Sequence, residues 1–136
     1  MNHHARELAC RSASMAEPFS HELGKQVGRV ARSLRMGELE HAFCDLEAST
    51  DRLYKFITFL SVTVQLLRDA QHPLAREVDA YERRLLGVLE RVEGALAKED
   101  FVALTMALEH GVAPVLDRYH GVGTRVAAAL RPRLAA

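Results

Sequence analysis

The sequence predicts an all-α protein: an up-down-up-down antiparallel four-helix bundle, preceded by a short N-terminal segment that is a candidate for disorder. Three observations predict this fold. Apolar residues recur every three or four positions along most of the chain, which is the helical period. No strand-like alternation and no Asn-Gly hairpin signal is present. Short breaks that contain Gly, Pro or Asp separate four periodic segments, and short connections make neighbouring helices antiparallel.

The first helix is predicted from about residue 18 to residue 35. Pro18 suits a first-turn position, and Gly37 ends the segment. Residues 1–16 are interpreted as an N-terminal tail, which leaves residues 17–136 as a single helical-bundle domain. The apolar stripe of this helix consists of Phe19, Leu23, Val27, Val30 and Leu34.

The second and third helices are predicted over about residues 38–70 and 74–98. Pro73 separates them, because the residue before a proline is disfavoured in a helix. The second helix has four uninterrupted heptads and is expected to be roughly 50 Å long at 1.5 Å per residue. Its stripe is Leu39, Phe43, Leu46, Thr50, Leu53, Ile57, Leu60, Val64 and Leu67, and that of the third is Leu74, Val78, Tyr81, Leu85, Val88, Val92 and Ala95.

The fourth helix is predicted to begin at Asp100, a favourable N-cap residue. Pro114 lies within this helix and has no N–H to donate to the carbonyl of His110. With Gly111 nearby, a kink is expected at this point. The apolar positions of the helix are Phe101, Leu104, Leu108, Val115, Tyr119, Val122, Val126 and Leu130.

Composition restricts the classes of function. The chain has 136 residues, 49% of them hydrophobic, and a formal net charge of zero, which argues against a nucleic-acid partner. Its most apolar run, residues 53–67, includes Lys55 and is too short to span a bilayer. No secretory signal is recognisable in the first 16 residues. These features predict a soluble cytoplasmic protein with no membrane partner.

Charge is segregated along the chain. Residues 1–36 carry six basic and three acidic groups. Residues 37–117 carry eight basic and fifteen acidic groups, and residues 118–136 carry four arginines and no acidic residue. The basic ends could pair with the acidic middle inside the fold, or could bind an acidic partner. Both interpretations remain open from the sequence.

The second helix carries apolar residues outside its heptad stripe, namely Phe56, Phe59, Val62 and Leu66. A helix that is apolar on more than one face is either central in its bundle or presents a surface to another molecule. Three explanations follow: the N-terminal segment or first helix covers these residues, a second copy does so in a homodimer, or a partner helix docks there.

The stretch SHEL, residues 20–23, resembles the phospho-acceptor box of sensor histidine kinases. His21 would be the acceptor, and it is followed by Glu22 and Leu23 as in that box. Histidine-phosphotransfer domains resemble this region too, but here Gly24 precedes Lys25, the reverse of their order, which moves the lysine about 100° around the helix. His21 lies off the apolar stripe and is expected to be exposed.

No metal, cofactor or catalytic site is predicted. Glu38 and His41 form one Glu-x-x-His pair, and a di-iron bundle site needs two. Cys44 lies in a helical pattern and is expected to be buried or half-buried, and Cys10 has no histidine in a suitable arrangement. The chain also lacks a nucleophile turn and a glycine-rich phosphate loop. A non-enzymatic protein without cofactors is therefore expected.

Two stretches resemble the flagellin-export chaperone family. The first is SLRMGELEHAF, at the junction of the first two helices. The second, residues 78–119, has an aromatic-Arg-Arg-Leu run at Tyr81–Leu85, then Ala95, an acidic break at Asp100 and a final amphipathic helix. The resemblance covers about residues 23–126 and implies a small bacterial cytoplasmic four-helix bundle that binds a flagellin helix.

The sequence thus predicts a protein-binding helical bundle, similar to a chaperone or adaptor, that receives an amphipathic helix of a flagellin-like or other protein partner. The predicted binding residues are Phe56, Phe59, Val62 and Leu66. The alternatives are a histidine-phosphotransfer module that uses His21 and a structural homodimer.

Overall fold

The structure, a computed structural model, describes residues 3–131, with the side chains of residues 3, 5 and 6 excepted. The described residues form helices and no strands, which confirms the all-α fold. The helices are α1 (His3–Arg35), α2 (Leu39–Asp69), α3 (Leu74–Ala97), α4 (Phe101–Ala107) and α5 (Ala113–Leu130), and a π-helical turn (Leu108–Val112) joins α4 to α5. Helix α4, this turn and α5 follow one another without a break and together make the fourth arm of the bundle.

The four arms form a ring of antiparallel neighbours. Helix α1 packs against α2, α2 against α3, α3 against the fourth arm and the fourth arm against α1. The diagonal pairs, α1 with α3 and α2 with the fourth arm, have no Cα atoms within 8 Å of each other among the described residues. The predicted up-down-up-down four-helix bundle is therefore confirmed.

The helix ends explain why the connections are short. Gly37 has a φ of 77° after α1, and the N–H of Glu38 donates to Ser33 O at 2.9 Å, which satisfies a carbonyl at the helix end. Gln71 and Glu99 adopt the same left-handed conformation after α2 and α3. Asp100 is the N-cap of α4, as predicted, and its Oδ1 accepts from Ala103 N at 3.0 Å.

Helix α1 begins at His3, about fifteen residues earlier than the sequence predicts. Residues 3–16, for which the sequence predicts a tail that is a candidate for disorder, are helical, and Pro18 lies inside the helix. The reason is packing: Ala13 and Ala16 are buried and continue the stripe that contains Leu23. Small alanines give only a weak apolar period, so the sequence pattern does not predict this part of the core.

Pro114 is accommodated by the π-helical turn. Because the proline cannot donate to His110 O, the preceding turn widens, and Ala113 N–H donates to Leu108 O, five residues back. The structure thus has a widened helical turn where the sequence predicts a kink, and the kink itself stays a prediction.

Candidate protein-binding groove

The structure separates the four predicted binding residues of α2. Val62 is exposed (52%), Phe59 and Leu66 are half-buried, and Phe56 is buried, with only 2% of its surface accessible. Phe56 therefore exposes almost no surface of its own, and its predicted role in binding stays a prediction. It is covered because α1 extends over this part of α2 and because Tyr81 and Tyr119 pack against it from the other side.

An apolar groove of about 520 Å³ runs between the N-terminal half of α1 and the middle of α2. We call it the α1–α2 groove. Phe59 and Val62 line it, Phe56 contributes to its floor, and Leu66 is outside its lining. Among the side chains that the structure describes, Lys55 is the one charged residue in its lining. The full lining is Leu8, Ala9, Ser12, Met15, Ala16, Phe19, Lys55, Phe56, Thr58, Phe59, Val62 and Thr63.

The residues of α1 that form one wall of the groove are not among the predicted binding residues, although coverage of α2 by the N-terminal segment or the first helix is one of the three explanations that the sequence leaves open. Leu8 and Met15 are 66% and 69% exposed and stand at the rim of the groove. The sequence does contain a signal for this wall, which is a spacing of four, three and four residues, as on one face of a helix. The residues with this spacing are Leu8, Ser12, Met15 and Phe19. An unbranched methionine at such a rim can adapt its shape to different partners.

The floor of the groove is a stacked aromatic cluster. The ring centroids of Phe19 and Phe56 are 6.4 Å apart, and those of Phe56 and Phe59 are 6.3 Å apart. Beneath them, Tyr119 meets Phe56 edge to face at 5.1 Å. Because these rings lock one another in place, the groove has a rigid base that joins α1, α2 and α5.

The two tyrosines below the floor differ in their hydrogen bonds. Tyr81 Oη donates to Val115 O at 2.6 Å, whereas Tyr119 Oη has no hydrogen-bond partner within the described part of the chain. Burial raises the pKa of both hydroxyls, with a contribution from the neighbouring Tyr119 to that of Tyr81 and from Glu17 to that of Tyr119. Both side chains are consequently neutral parts of the core.

His21 is exposed, as predicted, with 59% of its side chain accessible, and it lies at the contact between α1 and α5. Its Nδ1 is 3.6 Å from Asp117 Oδ1. Lys25 is directed to Glu22, with Nζ 3.7 Å from Oε1. Gly24 provides close helix packing, because a Cβ there would be 3.3 Å from Asp117 Oδ1.

The remaining chemical candidates are not grouped into a site. No three His, Cys, Asp or Glu side chains among the described residues are placed to hold a metal ion. His41 pairs with Asp45, with Nε2 3.4 Å from Oδ2. Cys44 is exposed, contrary to prediction, because it lies on the solvent side of α2, and Cys10 is half-buried.

None of the helices that the structure describes is both long enough and apolar enough to cross a membrane. Comparison of the chain with protein-family models, with curated proteins and with solved structures found no match.

Proposed function

We propose that this chain is a non-enzymatic protein-binding bundle, similar to a chaperone or adaptor, and that the α1–α2 groove receives the apolar face of a partner's amphipathic helix. The observation that carries the proposal is the open apolar groove itself, with Met15 and Val62 exposed at its rim and Phe59 half-buried within it. An amphipathic helix that docks in such a groove places side chains at i, i+3, i+4 and i+7 into it.

The rigid floor supports the proposal on energetic grounds. A partner would not have to order the stacked rings of Phe19, Phe56 and Phe59, because they already pack against each other. Preorganisation of this kind lowers the entropic cost of association. The apolar lining would supply the affinity, and Lys55 would favour a partner helix with an acidic residue at one edge.

A photo-crosslinking residue at position 62 tests this function, with the same residue at position 102 as the matched control. Val102 is 77% exposed on α4 and lies outside the groove lining. In cells of the native host, we expect position 62 to form a crosslink that position 102 does not, and we expect the crosslinked peptide to be an amphipathic helix. The resemblance to flagellin-export chaperones makes flagellin the first purified candidate.

Binding of the purified partner then separates a specific site from a chance neighbour. Val62→Asp places a charge in the groove and is expected to weaken binding at least tenfold, or about 1.4 kcal/mol, whereas Val102→Asp is expected to leave it unchanged. Equal crosslinking from both positions, or equal affinity of both variants, would exclude the groove as the binding site.

Phosphotransfer at His21 is a second candidate, favoured by the exposure of its imidazole. Incubation with a phosphorylated receiver domain or a small phosphodonor would then add a phosphoryl group, detected by intact mass, that His21→Ala abolishes. A homodimer, the third candidate, would give concentration-dependent sedimentation.

A further inference from the structure

A second apolar groove lies on a different face of the bundle, between α2 and α3, and has a volume of about 570 Å³. We call it the α2–α3 groove. Tyr54, Leu86 and Leu96 are 60%, 41% and 37% exposed along it. Its lining is Phe43, Leu46, Glu47, Thr50, Leu53, Tyr54, Ile57, Leu86, Leu89, Glu90, Val92, Glu93, Leu96 and Leu108.

Every charged residue that lines the α2–α3 groove, within residues 3–131 that the structure describes, is acidic. Glu47 stands on the α2 side, and Glu90 and Glu93 stand on the α3 side. All three are exposed, and no ion pair or hydrogen bond joins any of them to another described residue. Other acids of the same helices do have partners: Asp45 contacts His41, and Asp79 contacts Arg68 and Arg83.

The dimensions of the groove match a short helix. Its lining on α2 extends from Phe43 to Ile57, which corresponds to about 21 Å at 1.5 Å per residue. A helix of about 14 residues has the same length. Two or three of its turns could place apolar side chains beside Tyr54 and Leu86 while its edges meet the carboxylates on both sides.

We propose that the α2–α3 groove is a second docking site, and that its occupant is an amphipathic helix with Lys or Arg on both flanks of its apolar stripe. The charge pattern carries this assignment, because three carboxylates without an ion-pair partner among the described residues border an apolar surface, and no cation in that part of the chain lines it. This site would differ in selectivity from the α1–α2 groove, where the charged residue among the described lining side chains is Lys55. The inference is independent of the function proposed for that groove.

Two synthetic helical peptides test the proposal with the full-length chain. Both carry the same leucine stripe over about 14 residues, and one has lysines and the other glutamates on its flanks. In fluorescence anisotropy at low salt, we expect the lysine-flanked peptide to bind at least about tenfold more tightly. The difference should shrink at high salt, where exposed charges are screened. Backbone amide shifts should change along α2 and α3.

Two charge-matched triple variants identify the carboxylates responsible. The first triple variant should weaken binding of the lysine-flanked peptide at least about fivefold. It combines Glu47→Gln, Glu90→Gln and Glu93→Gln. A control triple variant removes the same amount of charge outside the groove and should leave the affinity for the lysine-flanked peptide nearly unchanged. It combines Glu22→Gln, Asp69→Asn and Asp117→Asn. Tyr54→Ala with Leu86→Ala should weaken binding of both peptides, since it removes exposed apolar surface that they share.

Four outcomes would overturn the proposal. The peptides could bind equally, or the two triple variants could behave alike. Val62→Asp could abolish binding of the lysine-flanked peptide, which would move it to the α1–α2 groove. Sedimentation could reveal a concentration-dependent dimer that is lost in the double variant Tyr54→Ala with Leu86→Ala. A second copy of the chain would then be the occupant of the groove. Circular dichroism of each variant checks that it folds.

Discussion

Tyr119 and Gly123 lie one helical turn apart on α5 and depend on each other. Tyr119 is the largest fully buried side chain, and a Cβ added at Gly123 would be 2.7 Å from its Cε2 atom. The ring cannot move away, because Phe56 and Tyr81 hold it at 5.1 and 5.5 Å between centroids. The glycine is therefore required for the aromatic floor of the groove.

We expect Gly123→Ala to lower the free energy of unfolding by about 1–3 kcal/mol, the usual effect of overpacking a core. Gly121→Ala is the matched control on the same helix, since a Cβ there meets nothing within 4 Å. It should raise stability by up to about 1 kcal/mol, because alanine favours the helix. Urea denaturation of both variants measures the effect, and a stabilising Gly123→Ala would contradict this account.

The hydroxyls of Tyr81 and Tyr119 give a second pair of opposite predictions. Tyr81→Phe removes the hydrogen bond to Val115 O and should cost about 1 kcal/mol. Tyr119→Phe removes a buried hydroxyl that has no partner among the described residues, and it should leave stability unchanged or raise it by up to about 1 kcal/mol. Thermal denaturation compares them; an equal loss in both would show that Tyr119 Oη has a stabilising contact.

Alkaline pH should destabilise the fold through the same two residues. Burial raises the pKa of Tyr81 and Tyr119 in the folded state, whereas an unfolded tyrosine ionises near pH 10. Their contribution to the free energy of unfolding is therefore complete below pH 10. Above pH 10 it declines by up to about 1.4 kcal/mol per pH unit for each tyrosine. Urea midpoints between pH 8 and 11 should fall less steeply in the double variant Tyr81→Phe with Tyr119→Phe. Parallel curves for both proteins would refute the assignment.

At the scale of elements, α1 shows which features the sequence could predict. The sequence predicts the helix boundaries at Gly37 and Asp100, because a left-handed residue and an N-cap are local requirements. It does not predict the start of α1, because Pro18 favours a first turn locally and only packing of Ala13 and Ala16 keeps it inside the helix.

The burial of Phe56 has a related cause. A heptad stripe describes a helix that contacts one neighbour, whereas α2 lies between α1 and α3 and also faces the centre of the bundle. Its buried arc is consequently wider than the stripe. The prediction of an apolar binding surface stays a prediction, now centred on Phe59 and Val62 with a wall from α1.

Replacement of Pro18 should stabilise α1. An interior proline lacks one helical hydrogen bond and costs up to about 3 kcal/mol relative to alanine, partly offset by its smaller entropy in the unfolded chain. We expect Pro18→Ala to raise stability by about 1–2 kcal/mol and to slow amide exchange around residues 14–18. Pro73→Ala, at the N-cap of α3, should instead lower stability by about 0.4–1 kcal/mol. A loss of stability in Pro18→Ala would show that its ring is needed for packing.

At the scale of the whole molecule, the segregated charges are partly paired within the fold. Arg125, in the basic end, makes a bidentate contact with Glu77 on α3 at 2.6 Å, and Arg35 is 2.6 Å from Glu109. These pairs join the fourth arm to both of its neighbours. They are exposed, so they orient the helices more than they stabilise them.

All four arms contribute to one contiguous hydrophobic core. We therefore expect a single cooperative unfolding transition for the chain. Far-ultraviolet circular dichroism, which follows the helices, and near-ultraviolet circular dichroism of the tyrosines should give the same urea midpoint. Separate midpoints would indicate that part of the bundle, such as the N-terminal half of α1, unfolds by itself.

That half of α1 has a consequence for ligand affinity. It forms one wall of the α1–α2 groove and lies at the N-terminal end of α1. Helix ends fray, and any fraction of molecules in which this wall leaves α2 has no groove. The apparent dissociation constant of any ligand in the groove equals the intrinsic one divided by the fraction of molecules that retain the groove. A substitution that stabilises the N-terminal turns of α1 without contacting the ligand would therefore lower the apparent dissociation constant. A bound ligand would in turn protect the amides of residues 8–16 from hydrogen exchange.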